Sequence, residues 1–508
     1  MLKLVLLATL GAWIGFANPV LQFPLAVLAF PVGLAWIGLR ATSARKAFLF
    51  GWLAGLLACV GCFYWMVIPV QFYGGLPWYV ALPCPALLGA FLALYYGLFS
   101  LGLHLAGKSV TGVPLCLLAG LTWASLEMLL GSVFTGFPWM NLASAFAPWP
   151  LAIQGAALVG AYGLSGVFAA LAVAGLLAST YRSALFLTVG LAAAVLGFGY
   201  FHLDAQSGEK ADFGVSIAQG NVDQAEKWVP AFQARTVEKY AKLTLRAVSD
   251  FHPELVVWPE TAMPFYLEEN TSFRTALEIL ARDTGTHLII GAPAYRVIDL
   301  QKKDYVLLNR AWLMDETGRT NQSYDKEHLV PFGEYMPLKS FIPFDQLVQA
   351  AGNFVPGTDN KPLVIKGVPL GMLICYEAIF PELAQQQVER GAQAIINISN
   401  DAWFGDTSAP GQHLDLTAMR AVEQGRWLVR STNTGISAFI DPAGRVLMRT
   451  DQFRAETLSM KIAPRRDTTF FHDNYHLIGR GIYLLTILGF AGILLSHRKR
   501  TKETSSNA

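Results

Sequence analysis

Charge is scarce in this chain, and from Met1 to about Leu203 it is nearly absent. Only 15% of the residues are Asp, Glu, Lys or Arg, against 53% hydrophobic, a balance too apolar for an ordinary soluble protein. Ordinary charge density holds from Asp204 to about His476; Leu477 to Ser496 is apolar again and ends in His497-Arg498-Lys499-Arg500. The pattern is that of a membrane protein with one large polar domain. A net charge of only +2 gives no reason to expect nucleic acid as a partner.

Cysteine is scarce too. Of the five, Cys59, Cys62, Cys84 and Cys116 fall in apolar runs, so Cys375 is alone in the polar region and cannot form a disulfide within it. Cys59 and Cys62 have the C-x-x-C spacing of a zinc or redox pair, but no histidine or second cysteine pair accompanies them in a polar setting, and structural zinc wants four ligands. No metal or other cofactor is called for. Internal repeats are missing, and low complexity is confined to Thr501 to Ala508, a tail expected to lack structure.

Apolar stretches long enough to approach a membrane span number seven before the polar domain, near 4–17, 21–39, 47–69, 79–106, 112–131, 151–178 and 184–202, and an eighth follows at 478–496. The first is short enough to be mistaken for a cleavable signal peptide. Lys3, then Arg40, Arg45 and Lys46, then Lys108, then Arg182, then the basic tail all fall on one side of this arrangement. The alternate loops near 18–20, 70–78 and 132–150 carry no Lys or Arg. By the positive-inside rule those loops and the polar domain face outward. The expected organisation is a membrane domain over 1–204, an outer domain over 205–476, a last membrane helix over 477–500 and an inner tail over 501–508.

Within the outer domain, β-branched and apolar runs recur at Val215–Ala218, Leu255–Trp258, Leu288–Ile290, Ala311–Met314, Leu370–Ile374, Ala394–Ile398, Ser437–Ile440 and Val446–Met448. Several are continuous, as in strands covered on both faces. Helical periodicity lies between them at 231–248, 272–283, 382–390 and 414–424. The expectation is an α/β layer structure.

Three motifs carry chemistry. Gly371-Met372-Leu373-Ile374-Cys375-Tyr376-Glu377 is a strand that stops at a thiol, the usual place for a reactive group in an α/β fold. Val256-Val257-Trp258-Pro259-Glu260 is a strand that stops at a carboxylate. Tyr324-Asp325-Lys326-Glu327-His328-Leu329-Val330-Pro331-Phe332-Gly333-Glu334-Tyr335 supplies an ammonium and further carboxylates. Taken singly, each has an ordinary reading: a buried apolar cysteine, a surface or capping carboxylate, a solvated loop lysine. Together they form a nucleophilic set. A thiol is mostly protonated at neutral pH and needs a base, a role Glu260 fits. Attack on a carbonyl creates an oxyanion that a fixed cation stabilises, which suits Lys326. Glu334 and Glu377 are placed to orient the lysine and tune the base.

The segments WPET, YDKEHLVPFGEYMP, ICYEAIFPE and NISNDAWFG resemble the nitrilase superfamily, whose Glu-Lys-Cys triad sits on an α-β-β-α sandwich. With helices before and after, the whole chain resembles the apolipoprotein N-acyltransferase family. That resemblance implies Glu260, Lys326 and Cys375 as the triad, Glu334 in support, Tyr376 and Glu377 flanking the nucleophile, and Trp228 as a substrate-contacting aromatic, with core packing as its alternative. It also implies the reaction: acyl transfer from a phospholipid, expected to be phosphatidylethanolamine, through a Cys375 thioester to the α-amine of a diacylglyceryl-cysteine lipoprotein at the bacterial inner membrane, with the catalytic domain in the periplasm. The chain departs from the family pattern at Leu130, where arginine is common, and at Gly411, where tryptophan is common.

Three further readings belong here. The apolar run Phe341-Ile342-Pro343-Phe344 through Leu347, Val348, Phe354 and Val355 is either a lid that dips into the membrane or core packing. Glu127, the one acidic residue deep in a membrane stretch, is expected to face a bundle interior or cavity. Two functions compete with acyl transfer: a membrane-tethered amidase that passes the thioester to water, and a transporter with an outer binding module. Against the first, seven helices exceed what tethering needs; against the second, ionisable residues at mid-membrane are nearly confined to Glu127 and His104.

Overall fold

The computed structural model describes residues 1–205, 211–269, 271–299, 301, 304–336, 354–358 and 361–506. The expected lid at 341–355 therefore lies outside the described residues, except for Phe354 and Val355. The chain forms two compact units, Met1–Trp65 with Leu82–Ala205 and Thr469–Ala508, and Met66–Ala81 with Gln206–Thr468.

The first unit is helical. Among the described residues, six helices are long and apolar enough to cross a membrane: Ala44–Cys62, Trp78–Ala106, Gly112–Thr135, Ala156–Leu177, Arg182–Leu203 and Tyr475–Leu495; Leu2–Gly15 and Pro24–Arg40 are apolar but shorter. All eight expected stretches are thus helical, with two under full spanning length. Small residues bring neighbouring helices together: a Cβ added at Gly120 would stand 2.5 Å from the carbonyl oxygen of Gly166, so only glycine permits that approach. Glu127 is buried and fully engaged. It accepts hydrogen bonds from Trp123 Nε1 at 2.8 Å, from Leu142 N at 2.8 Å and from the Asn141 amide, which ties the following loop back onto its helix. The last helix runs on to Ser506, so residues 501–506 are helical where composition led us to expect no structure.

The third apolar stretch, expected to run to 69, ends as a helix at Cys62. The segment that follows, Met66–Ala81, belongs with the polar domain. Tyr73 donates its hydroxyl to the Ala402 carbonyl at 2.9 Å and packs edge-on against Trp403.

The second unit is built on two six-stranded sheets. The first comprises β1 (Phe213–Gln219), β2 (Leu255–Val257), β3 (His287–Asp299), β4 (Asp304–Met314) and β5 (Thr320–Asp325), with the late strand β12 (Glu456–Ile462) beside β1. The second runs β6 (Leu363–Ile365), β7 (Val368–Ile374), β8 (Ala394–Ser399), β9 (Leu428–Thr432), β10 (Ala438–Ile440) and β11 (Val446–Arg449) in spatial order. The central pairs β1–β2, β2–β3, β7–β8 and β8–β9 are parallel. Their alternation sorts side chains by face. Val215, Ile217, Leu255 and Val257 meet Met372, Ile374, Ile396 and Ile398 in a core between the sheets. Val256, Trp258, Leu288 and Ile290 point the other way and pack with Val237, Tyr240, Leu277 and Leu280. Those last four come from helices Pro230–Phe251 and Ser272–Thr284, whose apolar residues recur every three or four positions. Helices Pro381–Glu389 and Ala409–Gln424 cover the second sheet. The result is the α-β-β-α sandwich anticipated from the motifs.

Four strands escaped the pattern reading. β5 (Thr-Asn-Gln-Ser-Tyr-Asp) and β12 lie at sheet edges and carry polar side chains, β6 is three residues long, and β9 includes the fully buried Arg430. Apolar periodicity cannot flag such segments.

Candidate active site

The three chemical motifs converge because β2, β5 and β7 all end at the same edge of the sandwich. Glu260 leaves β2 through Trp258, whose N–H bonds to the Ile289 carbonyl, and through Pro259. Its loop passes directly over Gly291 of β3, where a Cβ would stand 2.3 Å from the Pro259 carbonyl oxygen and 2.7 Å from Glu260 Cα. A larger residue at 291 would push the carboxylate out of place.

Lys326 follows β5, with its N–H on the Asn309 carbonyl at 2.9 Å. It is 1% exposed, and its ammonium lies 2.8 Å from Glu334 Oε2 and 3.7 Å from Glu260 Oε1. Burial alone would discharge this amine, but Glu334 and Glu260 outweigh it and raise its pKa above the ordinary lysine value. Lys326 is therefore a fixed cation.

Both carboxylates are held partly from outside the three motifs. The Asn309 amide donates to Glu260 Oε1 at 2.7 Å and to Glu334 Oε1 at 2.9 Å. The N–H of Asn400 donates to Glu260 Oε2 at 2.9 Å, and that of Val330 to Glu334 Oε2 at 2.8 Å. Asn309 and Asn400 were not singled out from the sequence. Asn309 has no local signal, whereas Asn400 lies within the NISNDAWFG segment.

Cys375 ends β7 in a left-handed backbone conformation, φ 53°, a region a residue with a Cβ enters only at a cost of about 1–3 kcal/mol. Thr261, next to Glu260, and Phe332, within the lysine motif, share this feature at φ 50° and 63°. The thiol is buried, and its pKa is raised by burial and by Glu260, with Lys326 opposing. It rests as a neutral thiol beside a carboxylate, and a thiol in that state needs a base to take its proton before it can serve as a nucleophile.

Glu377 plays a different part from the one its position suggested. Its Oε1 accepts from the N–H groups of Glu327 and His328, and its Oε2 from Ile374 N and the Tyr324 hydroxyl. It joins the lysine loop to β7 through their backbones, while Glu334 is the one of the two that pairs with the ammonium. Tyr376 is buried against Phe380 and His328. Trp228 follows the short helix Gln224–Lys227 and is 41% exposed, so it is not a core residue.

A buried thiol, carboxylate and ammonium at the ends of three strands of an α-β-β-α sandwich define the nitrilase class of fold and site. Residues 215–467 match the carbon-nitrogen hydrolase family model, and residues 8–176 match the apolipoprotein N-acyltransferase N-terminal domain. An apolipoprotein N-acyltransferase from Geobacter metallireducens is 36% identical, spanning 90% of this chain and 88% of its own. The enzyme of that name from Methylococcus capsulatus is 33% identical over 98% of this chain and 97% of its own. Among solved structures, an amidase from Nesterenkonia sp. aligns with 54% of this chain and 97% of its own at 22% identity and a TM-score of 0.39. The chain belongs to the apolipoprotein N-acyltransferase family.

Proposed function

We propose that this chain N-acylates lipoproteins by a two-step transfer with Glu260, Lys326 and Cys375 as the reacting groups. The observation that carries the assignment is the convergence of these three buried side chains at one sheet edge. In the first step the Cys375 sulfur attacks an acyl-ester carbonyl of a phospholipid, phosphatidylethanolamine in our reading, while Glu260 takes the thiol proton. Lys326 stabilises the tetrahedral oxyanion. Collapse breaks the ester bond, the leaving alcohol receives the proton from Glu260, and a thioester remains on Cys375.

In the second step the neutral α-amine of a diacylglyceryl-cysteine attacks the thioester. Glu260 takes a proton from the nitrogen and returns one to the departing thiolate. An amide forms and the free thiol is regenerated. The six apolar helices of spanning length among the described residues support a site supplied from the bilayer, because donor and acceptor are both lipids. The distribution of Lys and Arg supports a periplasmic catalytic domain over 205–476. Exposed Trp228 is a candidate substrate contact.

The test is intact-mass analysis of purified protein incubated with phosphatidylethanolamine, with Cys375→Ala as control. An acyl adduct confined to the wild type, discharged by a diacylglyceryl-cysteine peptide faster than by water, is expected. Absence of the adduct removes the first step; discharge by water as fast as by amine makes the protein an amidase.

A further inference from the structure

Behind the nucleophile lies a buried polar cluster that acyl transfer as written does not use. His413, on helix Ala409–Gln424, is fully buried. Its Nε2 lies 3.2 Å from the carbonyl oxygen of Cys375. Its Nδ1 lies 3.0 Å from an Arg430 guanidinium nitrogen and 3.4 Å from Asp401 Oδ1. The same arginine nitrogen is 2.8 Å from Asp401 Oδ2, and Ser399 donates its hydroxyl to Asp401 Oδ1 at 2.7 Å. Arg430 also donates to the Asn397 side-chain oxygen.

These contacts determine the state of the ring. A carbonyl oxygen only accepts, so the Nε2 nitrogen carries hydrogen. A guanidinium only donates, and at 3.0 Å against 3.4 Å for Asp401 it is the nearer neighbour of Nδ1, so that nitrogen presents its lone pair to Arg430. The ring is therefore neutral, and burial together with Arg430 holds its pKa below the ordinary histidine value, in agreement. The charges of Arg430 and Asp401 compensate each other. His413 is thus a fixed N–H donor, aimed at the carbonyl of a residue whose backbone is held at φ 53°.

We infer that His413 is a positioning residue for acyl transfer: its Nε2–H holds the Cys375 peptide in the left-handed conformation that presents the thiol, with Arg430 and Asp401 fixing the ring. Strained nucleophile backbones persist only where their surroundings over-determine them, and this bond is a side-chain restraint on the Cys375 carbonyl. The inference concerns the nucleophile and is independent of which lipid acylates it.

The experiment compares full-length His413→Gln, His413→Asn and His413→Leu in detergent. Glutamine can place an amide N–H near the position of Nε2; asparagine falls short of it, and leucine has no donor. The readouts are the rate of Cys375 alkylation by iodoacetamide, the rate of adduct formation from phosphatidylethanolamine, its KM, and the melting temperature. Leucine and asparagine are expected to slow both reactions of Cys375 by about 10–100-fold, the scale of a slightly misplaced reacting group, with KM unchanged, and glutamine to recover most of that loss. Equal losses in all three variants overturn the proposal, because a group that titrates during turnover is not rescued by an amide. Losses that merely follow melting temperature overturn it as well, as does wild-type reactivity in the leucine variant. Failure of the lipid arm alone, with alkylation behaving as expected, would count against the acyl donor and leave the role of His413 standing.

Discussion

Replacing Lys227 with methionine is expected to stabilise the catalytic unit at neutral pH. Lys227 is 1% exposed, and among the described residues its ammonium has no hydrogen-bond partner. Burial pushes its pKa from 10.5 down to about 7, with the charge of Glu260 opposing. At about 1.4 kcal/mol per unit, that gap from 10.5 to about 7 puts the cost of a charged Lys227 near 5 kcal/mol. The sign follows from proton binding. Between the two pKa values the unfolded chain holds a proton that the folded one lacks, so this group makes stability rise with pH through that window, and its penalty is complete below pH 7. Methionine fills a similar volume without a donor. After imperfect repacking we expect a gain of about 2–4 kcal/mol at pH 6.5, or roughly 5–15 °C in melting temperature for a unit of this size. Thermal unfolding of both proteins in detergent at pH 6.5 and 9.5 measures it, and the gain should shrink at the higher pH. A variant less stable than wild type at pH 6.5, or a gain that grows with pH, refutes the reasoning.

Other substitutions separate the roles of the site residues. Cys375→Ser should keep its melting temperature and lose at least about 10³-fold in turnover, since a serine hydroxyl is far harder to deprotonate; normal lipoprotein acylation by this variant removes Cys375 from the mechanism. Asn309→Leu strips a shared donor from Glu260 and Glu334, and loss of two charge-assisted bonds of about 1.5–3 kcal/mol each predicts slower adduct formation and a lower melting temperature. Glu377→Gln sets an amide N–H₂ against the backbone donors of residues 327, 328 and 374; a destabilisation of about 2–4 kcal/mol in denaturant titration is expected, with loss of activity as the Lys326 loop comes free.

Much of the site was legible because its residues stand where local pattern changes. A run such as Leu373-Ile374 stopping at Cys375, or Val256-Val257 stopping at Glu260, announces a strand end from composition alone. Lys326 announced itself less through β5, which is polar throughout, than through the motif around it. Asn309, Asn400 and His413 gave no comparable sign, and nothing local showed that Glu377 acts on the lysine loop through its backbone. Their roles come from contacts across 49 residues for Asn309 with Glu260, 140 for Asn400 with Glu260 and 38 for His413 with Cys375.

By itself the sequence determined the apolar helices, the α/β class and the three candidate reactive groups, because hydrophobic period and side-chain chemistry are local properties. Only the tertiary structure decided which oxygen of Glu260 meets Asn309 and which the Asn400 backbone, and that Glu377 joins the lysine loop to β7 while Glu334 pairs the lysine. It alone placed Met66–Ala81 with the polar unit and the His413 ring against the Cys375 carbonyl. Such assignments depend on sheet register and on where chain reversals bring distant backbones, and neither is written in any single segment of the chain.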